Sequence, residues 1–157
     1  MPLDSQRHVI PGLNTGRIIL ADEDGVIGRW VATSSYDGKQ KFGDWNSRGG
    51  VIPPTHAMPG SRYWEFHTKR ILQPGQPVDD GFLVTFDGSV TYKTVDGATR
   101  SEIMFHDDTN RRTNPGSFGC IITKSTKEWE DFCKGVKESV SHIAKIPLLV
   151  AYSFEVG

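Results

Sequence analysis

Residues 105–121, FHDDTNRRTNPGSFGCI, bring groups able to do nucleophilic chemistry into one polar segment. A cysteine nucleophile needs a base to take its proton and backbone N–H groups that face the developing oxyanion. His106 precedes Cys120 by fourteen positions, and Gly119 lets the chain turn tightly beside the thiol. A lone histidine or a lone cysteine is more often structural, so the prediction of a cysteine–histidine site depends on their combination.

This segment resembles the catalytic segment of the L,D-transpeptidase (YkuD-type) domain, where a histidine precedes a Ser/Thr-x-Gly-Cys-hydrophobic motif by a loop of similar length. Here the motif is Ser117-Phe118-Gly119-Cys120-Ile121. Upstream, RGGVIPPTHAMPGSRYWE at residues 48–65 is similar to the segment that precedes the catalytic one in that family. The resemblance covers residues 16–124 and implies a β-sandwich-like cysteine enzyme that acts on peptidoglycan stem peptides.

The resemblance also implies a role for each residue. Cys120 attacks the carbonyl between an L-centre of the stem peptide and D-alanine, and His106 takes the thiol proton. The main-chain carbonyl of Asp107 orients the imidazole, and the N–H groups of Phe118, Gly119 and Cys120 stabilise the oxyanion. Water would then release a shortened peptide, as in an L,D-carboxypeptidase or endopeptidase, whereas an amine would form a cross-link. The sequence leaves this choice open.

Two departures from the family pattern bear on substrate binding. Phe118 stands where many members have a second histidine, and Ile122 stands where they have an arginine. Arg111 and Arg112 are candidates to bind substrate carboxylates, because a guanidinium can hold a carboxylate through two hydrogen bonds, although both could equally be solvated loop charges. Ser117 and Phe118 are further substrate-binding candidates, and His56 could line the cleft. Asp107 and Asp108 follow His106 where the family commonly has a glycine. In this respect the loop resembles small phage and secretion-effector variants of the domain, which implies attack on another cell's wall.

Composition narrows the function classes. The length of 157 residues fits a single domain, which the resemblance implies is an L,D-transpeptidase-like domain over residues 1–157. The net charge of −1 does not indicate a nucleic-acid partner. No signal-peptide pattern and no membrane span are apparent, so we expect synthesis in the cytoplasm and action on the cell wall after delivery through phage lysis, a virion or an injection system. Phage structural or delivery proteins would then be partners.

Two other classes remain open. A noncatalytic peptidoglycan-binding module, or a structural component of a phage tail or virion, could keep the same fold. A metal site would need three converging ligands, and His56, His67, His106, Asp107 and Asp108 include no short pair such as His-Glu-x-x-His. We therefore predict no metal ligand and no cofactor.

The elements that would position these residues form a mainly β fold with one C-terminal α-helix. Asp24-Gly25 and Asp87-Gly88 each predict a hairpin turn, the second joining a strand with Phe82, Val84 and Phe86 on one face to a strand with Val90 and Tyr92. The segments SRYWEFHT and SEIMFH predict further strands, and a closing strand is predicted over residues 148–156.

One helix is predicted near the C-terminus. Ser125 and Glu128 have the spacing of a capping box, and Pro147 is predicted to end the helix. Helical spacing predicts a buried stripe that includes Cys133, which would make this thiol a packing residue. The stripe contains Trp129, Phe132, Cys133, Val136, Val140 and Ile143.

Overall fold

The computed structural model describes residues 16–34, 52–72, 80–107, 120–123 and 125–151. Over these residues the chain forms ten β-strands and one α-helix. Two 3₁₀ turns, Thr55–Ala57 and Pro59–Ser61, lie between the second and third strands. The elements are β1 (Gly16–Asp22), β2 (Gly25–Thr33), β3 (Trp64–His67), β4 (Ile71–Leu72), β5 (Asp80–Thr85), β6 (Thr91–Lys93), β7 (Thr99–Ser101), β8 (Met104–His106), β9 (Ile121–Thr123), α1 (Thr126–Ser139) and β10 (Lys145–Leu148).

Eight strands form one curled sheet in the order β1-β2-β9-β8-β5-β3-β10, with β4 paired to β5, while β6 and β7 form a separate two-stranded sheet. Within the described ranges, β8 and β9 pair in parallel and the other strand pairs are antiparallel. The predicted class, mainly β with one helix, is confirmed. The finer assignment to an L,D-transpeptidase fold stays a prediction.

The first predicted hairpin is confirmed. β1 and β2 pair antiparallel from Gly16↔Ala32 to Asp22↔Gly25, with a bulge between Leu20 and Ala21. The turn is closed by the Asp22 carboxylate, which accepts a hydrogen bond of 2.8 Å from the Asp24 amide. Short polar side chains favour such turns because they can bond to main chain two residues away.

The second predicted hairpin is correct at its turn and wrong beyond it. Asp87 and Gly88 both have positive φ, 51° and 76°, as a two-residue hairpin turn requires. Phe82, Val84 and Phe86 are buried as predicted. Pairing across the turn is confined to the bridge between Phe86 and Ser89, and β6 pairs with β7 instead.

The helix is confirmed, and its start lies where the sequence predicted it. The Ser125 side chain accepts a hydrogen bond of 3.1 Å from the Glu128 amide, as in half of a capping box. The predicted stripe is buried from Trp129 to Val140. The prediction is wrong for Ile143, which lies beyond the helix and is 44% exposed.

The C-terminal region corrects two further predictions. The helix ends at Ser139, well before Pro147, which lies within β10. β10 is the last strand of the sheet and pairs with β3 through Pro147↔Glu65, a position where proline is tolerated because an edge strand has one unpaired side. The predicted closing strand at 148–156 is therefore displaced toward the N-terminus, and residues 152–157 lie outside the described residues.

Aromatic side chains join the helix to the sheet. Among the described residues, Phe132 of α1 contacts five other rings, with centroid separations from 5.1 to 6.1 Å. Phe105 of β8 stacks on it at 5.7 Å with an interplanar angle of 21°. Since Phe105 directly precedes His106, this stack fixes the strand that carries the candidate base. The rings around Phe132 belong to Trp30, Phe66, Phe82, Phe105 and Trp129.

Candidate active site

Parallel pairing of β8 and β9 brings His106 and Cys120 to neighbouring positions in the sheet. Phe105 pairs with Ile121 and His106 with Ile122, so Cys120 directly precedes the paired part of β9. Strand spacing and rise place the Cα atoms of His106 and Cys120 roughly 8 Å apart. Paired residues share a face of the sheet, so His106 lies on the same face as Ile122, and Cys120 lies in a bend two residues before Ile122.

The ring of His106 is oriented by its own neighbour. Its Nδ1 lies 2.7 Å from the carbonyl oxygen of Asp107. A carbonyl oxygen can only accept, so Nδ1 carries the proton in this contact and Nε2 of the neutral ring keeps its lone pair. This is the contact that the resemblance implied for Asp107, and it leaves Nε2 as the nitrogen able to accept a proton.

Asp107 is itself held by the start of α1. Its Oδ2 accepts a hydrogen bond of 3.1 Å from the hydroxyl of Thr126, the first residue of the helix. A carboxylate at a helix N-terminus is also favoured by the helix dipole. The capped helix therefore fixes the residue whose carbonyl orients His106.

Gly81 gives β8 its close approach to β5. It pairs with His106, and a Cβ added at Gly81 would come within 2.6 Å of the Phe105 carbonyl oxygen and 3.3 Å of the His106 Cβ. The first distance is too short for any side chain. A larger residue at this position would displace the strand on which His106 lies.

The two cysteines occupy opposite environments, and both are free thiols. Cys120 is half-buried, and its Sγ lies 3.6 Å from the carbonyl oxygen of Glu102. Cys133 is buried in the helix stripe, and burial raises the pKa of its thiol to about 12. Because the thiolate is the nucleophilic form, Cys133 is chemically inert at neutral pH, as its predicted packing role requires.

Several predicted site residues lie outside the described part of the chain. These are Arg111, Arg112, Ser117, Phe118 and Gly119. Their roles in substrate binding and in the oxyanion site stay predictions.

His56 is described, and its side chain is exposed. Its 3₁₀ turn is bonded to the residues after β6, because the Val95 amide donates to the Ala57 carbonyl at 2.8 Å. A role for His56 in a substrate cleft stays a prediction.

Two buried polar residues of the β6–β7 hairpin were not predicted as site residues. Tyr92 on β6 pairs with Arg100 on β7, and the two residues are 6% and 5% exposed. Arginine is usually exposed, so its residue type alone predicts a surface position for Arg100. The alternation of exposed and buried residues on two adjacent strands is what reveals the pair.

No family model, curated protein or solved structure matches this chain. The residue pattern and the geometry around Cys120 are therefore the basis for assigning a function. Across the described residues, no three metal-ligating side chains converge and no helix has the length and apolarity needed to cross a membrane.

Proposed function

We propose that the protein is a cysteine-dependent enzyme acting on peptidoglycan stem peptides, with Cys120 as nucleophile and His106 as base. The observation that supports the proposal is the parallel β8–β9 pairing, which brings His106 at the end of β8 beside the strand that directly follows Cys120. The Nδ1 contact of His106 with the Asp107 carbonyl adds to it, because it leaves Nε2 as the proton acceptor.

The proposed reaction has two stages. His106 Nε2 takes the proton of Cys120, whose Sγ forms a bond to the carbonyl carbon that joins the diamino acid's L-centre to D-alanine. The C–N bond breaks, His106 returns the proton to the leaving D-alanine amine, and the acyl group remains on the sulfur as a thioester. Water or a second amine then attacks the thioester, with His106 again taking a proton, and regenerates the thiol.

Loop residues complete this proposal. The N–H groups of Phe118, Gly119 and Cys120 would stabilise the oxyanion; in well-studied acyl-transfer enzymes the loss of one such donor costs about 3 to 4 kcal/mol. Arg111 and Arg112 would bind stem-peptide carboxylates. Because the Asp107-Asp108 step after His106 resembles small phage and effector variants, we propose a target wall outside the producing cell, reached through phage lysis, a virion or an injection system.

Mass spectrometry of defined tetrapeptide and pentapeptide muropeptides tests the proposal. The parent protein should remove the terminal D-alanine or form a new cross-link, and Cys120→Ala should do neither. His106→Gln, which keeps a side chain of similar size, should lower turnover by about 10²- to 10⁴-fold. Cys133→Ala is the matched control, since it removes the buried thiol and should leave the products unchanged.

Two outcomes would contradict the proposal. Equal turnover by the parent and Cys120→Ala would exclude the cysteine mechanism. An absence of product from the folded parent, across muropeptides of varied stem composition, would favour the alternative of a noncatalytic peptidoglycan-binding or virion module.

A further inference from the structure

The chain between β7 and β8 passes directly beside the thiol of Cys120. The carbonyl oxygen of Glu102 lies 3.6 Å from Sγ, where the S–H group can donate to it. Main-chain hydrogen bonds hold this part of the chain on both sides. The Glu102 amide donates to the Val90 carbonyl at 3.0 Å, and the next carbonyl, of Ile103, accepts from the Val84 amide at 3.2 Å. Glu102 is therefore a fixed part of the surroundings of the thiol.

The backbone of Glu102 lies in the left-handed region, with a φ of 59°. Among the described residues other than glycine, only Asp87 also has a positive φ, and it lies in a hairpin turn where a short polar side chain is favoured. Glycine would adopt this conformation without strain. Strained residues of this kind concentrate at functional sites, so the side chain of Glu102 is a candidate for a function.

The carboxylate of Glu102 faces solvent rather than a protein partner. The residue is exposed, and its side chain has no hydrogen bond or ion pair with any residue that the structure describes. The Asp107 carboxylate, next to His106, instead accepts a hydrogen bond from Thr126. The negative charge of Glu102 is therefore free to act on a bound molecule.

Covalent geometry limits the distance between this charge and the sulfur. A carbonyl oxygen lies about 2.4 Å from its own Cα, and a glutamate carboxylate lies at most about 5 Å from Cα. Added to the 3.6 Å between Sγ and the Glu102 carbonyl oxygen, these lengths keep the carboxylate within roughly 11 Å of Sγ in every rotamer. The Debye length at about 0.1 M salt is about 10 Å, so the charge acts on any group that binds beside the thiol.

We propose that Glu102 selects substrates that carry a positive charge next to the scissile carbonyl. The inference rests on the proposed function, in which that carbonyl belongs to the diamino acid of a stem peptide. The second amine of a diamino acid is an ammonium ion at neutral pH when it is free, and it is uncharged when it is acylated in a cross-link. Charge attraction by Glu102 therefore favours stem peptides whose second amine is free.

Labelling of Cys120 with reagents of opposite charge tests this selectivity without any peptidoglycan. The reagents are the cationic trimethylammonioethyl methanethiosulfonate and the anionic sulfonatoethyl methanethiosulfonate, and mass spectrometry of the Cys120 peptide gives both rates. Both react with the thiolate, so the ratio of the rates cancels the ionisation of the thiol and reports the charge around it. Glu102→Gln should lower the cation-to-anion ratio about two- to fivefold at about 0.01 M salt. The difference should nearly vanish at about 1 M, where the Debye length is about 3 Å.

Two further variants separate the charge from the backbone. Glu102→Gly keeps the left-handed conformation and removes the carboxylate, so it should lower the ratio as much as Glu102→Gln does and leave the Tm equal or higher. Glu138→Gln is the matched control, because Glu138 is 63% exposed and lies at the end of α1 opposite Thr126. It should leave the ratio unchanged. A ratio that neither Glu102 variant alters would overturn the inference.

Turnover of matched muropeptides connects this selectivity to the substrate. The parent should act on a peptide with a free second amine with a kcat/KM about two- to fivefold higher than on the same peptide with that amine acetylated, and Glu102→Gln should remove the difference. Product formation with a labelling ratio and an acetylation effect that are both independent of Glu102 would overturn the inference and leave the proposed function standing. A labelling ratio that depends on Glu102, without product from either peptide, would reject the proposed substrate and leave the selectivity for positive charge standing.

Discussion

Glu65 on β3 is the carboxylate for which the structure makes the sharpest quantitative prediction. Its Oε1 accepts hydrogen bonds of 2.8 Å from the Thr85 hydroxyl and from the Gly88 amide, and its Oε2 accepts one of 2.9 Å from Lys145 Nζ. It therefore joins β5, the turn that follows β5, and β10. These donors, Lys145 first, lower the pKa of Glu65 from 4.5 to about 2.

The sign of the pH effect follows from this direction. A carboxylate whose pKa is lower in the folded state stabilises the fold above the unfolded pKa, and loses that contribution as the pH falls toward the folded value. A fall from 4.5 to about 2 corresponds to about 3 kcal/mol of stability, lost between these pH values. The Lys145 side chain is 53% exposed, so solvent screening reduces the expected contribution to about 1 to 2 kcal/mol.

Urea denaturation of the parent and of Glu65→Gln between pH 2 and 7 checks this value. At pH 7 the variant should be less stable by about 1 to 2 kcal/mol, and the difference should shrink as the pH falls from 4.5 toward 2. Glu138→Gln is the control, because Glu138 is 63% exposed and lies 4.0 Å from Lys134. Its effect should stay under about 0.5 kcal/mol. A Glu65→Gln difference that is constant between pH 2 and 7 would refute the reasoning.

Three further predictions concern the site and the core beneath it. Gly81→Ala should displace the strand that carries His106, which should lower the free energy of unfolding by about 1 to 3 kcal/mol and slow the alkylation of Cys120. Urea denaturation measures the free energy, and mass spectrometry of the Cys120 peptide measures the alkylation rate. An unchanged alkylation rate would contradict the positioning role of Gly81. Phe132→Ala should cost about 3 to 5 kcal/mol, measured by denaturation, and a loss under 1 kcal/mol would exclude a central place in the core. The buried thiol of Cys133, whose pKa is raised to about 12, should be alkylated only in denaturant, whereas Cys120 should be alkylated in the folded protein. Equal slow labelling of both thiols would contradict a catalytic role for Cys120.

Local sequence determined the elements whose signals are short-range. Asp87 and Gly88 both adopt the positive φ that a two-residue hairpin turn needs, whereas in the first hairpin Glu23 and Asp24 form the turn and Gly25, with φ 127°, begins β2. Ser125 and the apolar spacing that follows it determine the helix, since the cap and the buried stripe both act within a few residues. The choice of Cys120 and His106 also came from local pattern, because residue type and motif spacing are visible without a fold.

Other features depended on contacts between distant segments. The strand after Asp87-Gly88 pairs with β7 rather than β5. The segment SEIMFH is divided between β7 and β8, because the positive φ of Glu102, 59°, interrupts the extended chain. Pro147 lies in an edge strand because β10 pairs with β3, a contact between segments far apart in the sequence. Strand pairing is a long-range choice, so local propensity does not determine it.

By itself, the sequence determined which groups could do chemistry: the thiol of Cys120, the imidazole of His106 and the main chain around them. Tertiary structure alone decided where these groups lie and which residues surround them. Parallel pairing of β8 and β9 brings the end of β8 with His106 beside the chain that follows Cys120, and the carbonyl of Glu102 lies 3.6 Å from Sγ of Cys120. The physical reason is that burial and charge proximity depend on segments far apart in the chain, and no local pattern records which of them will meet.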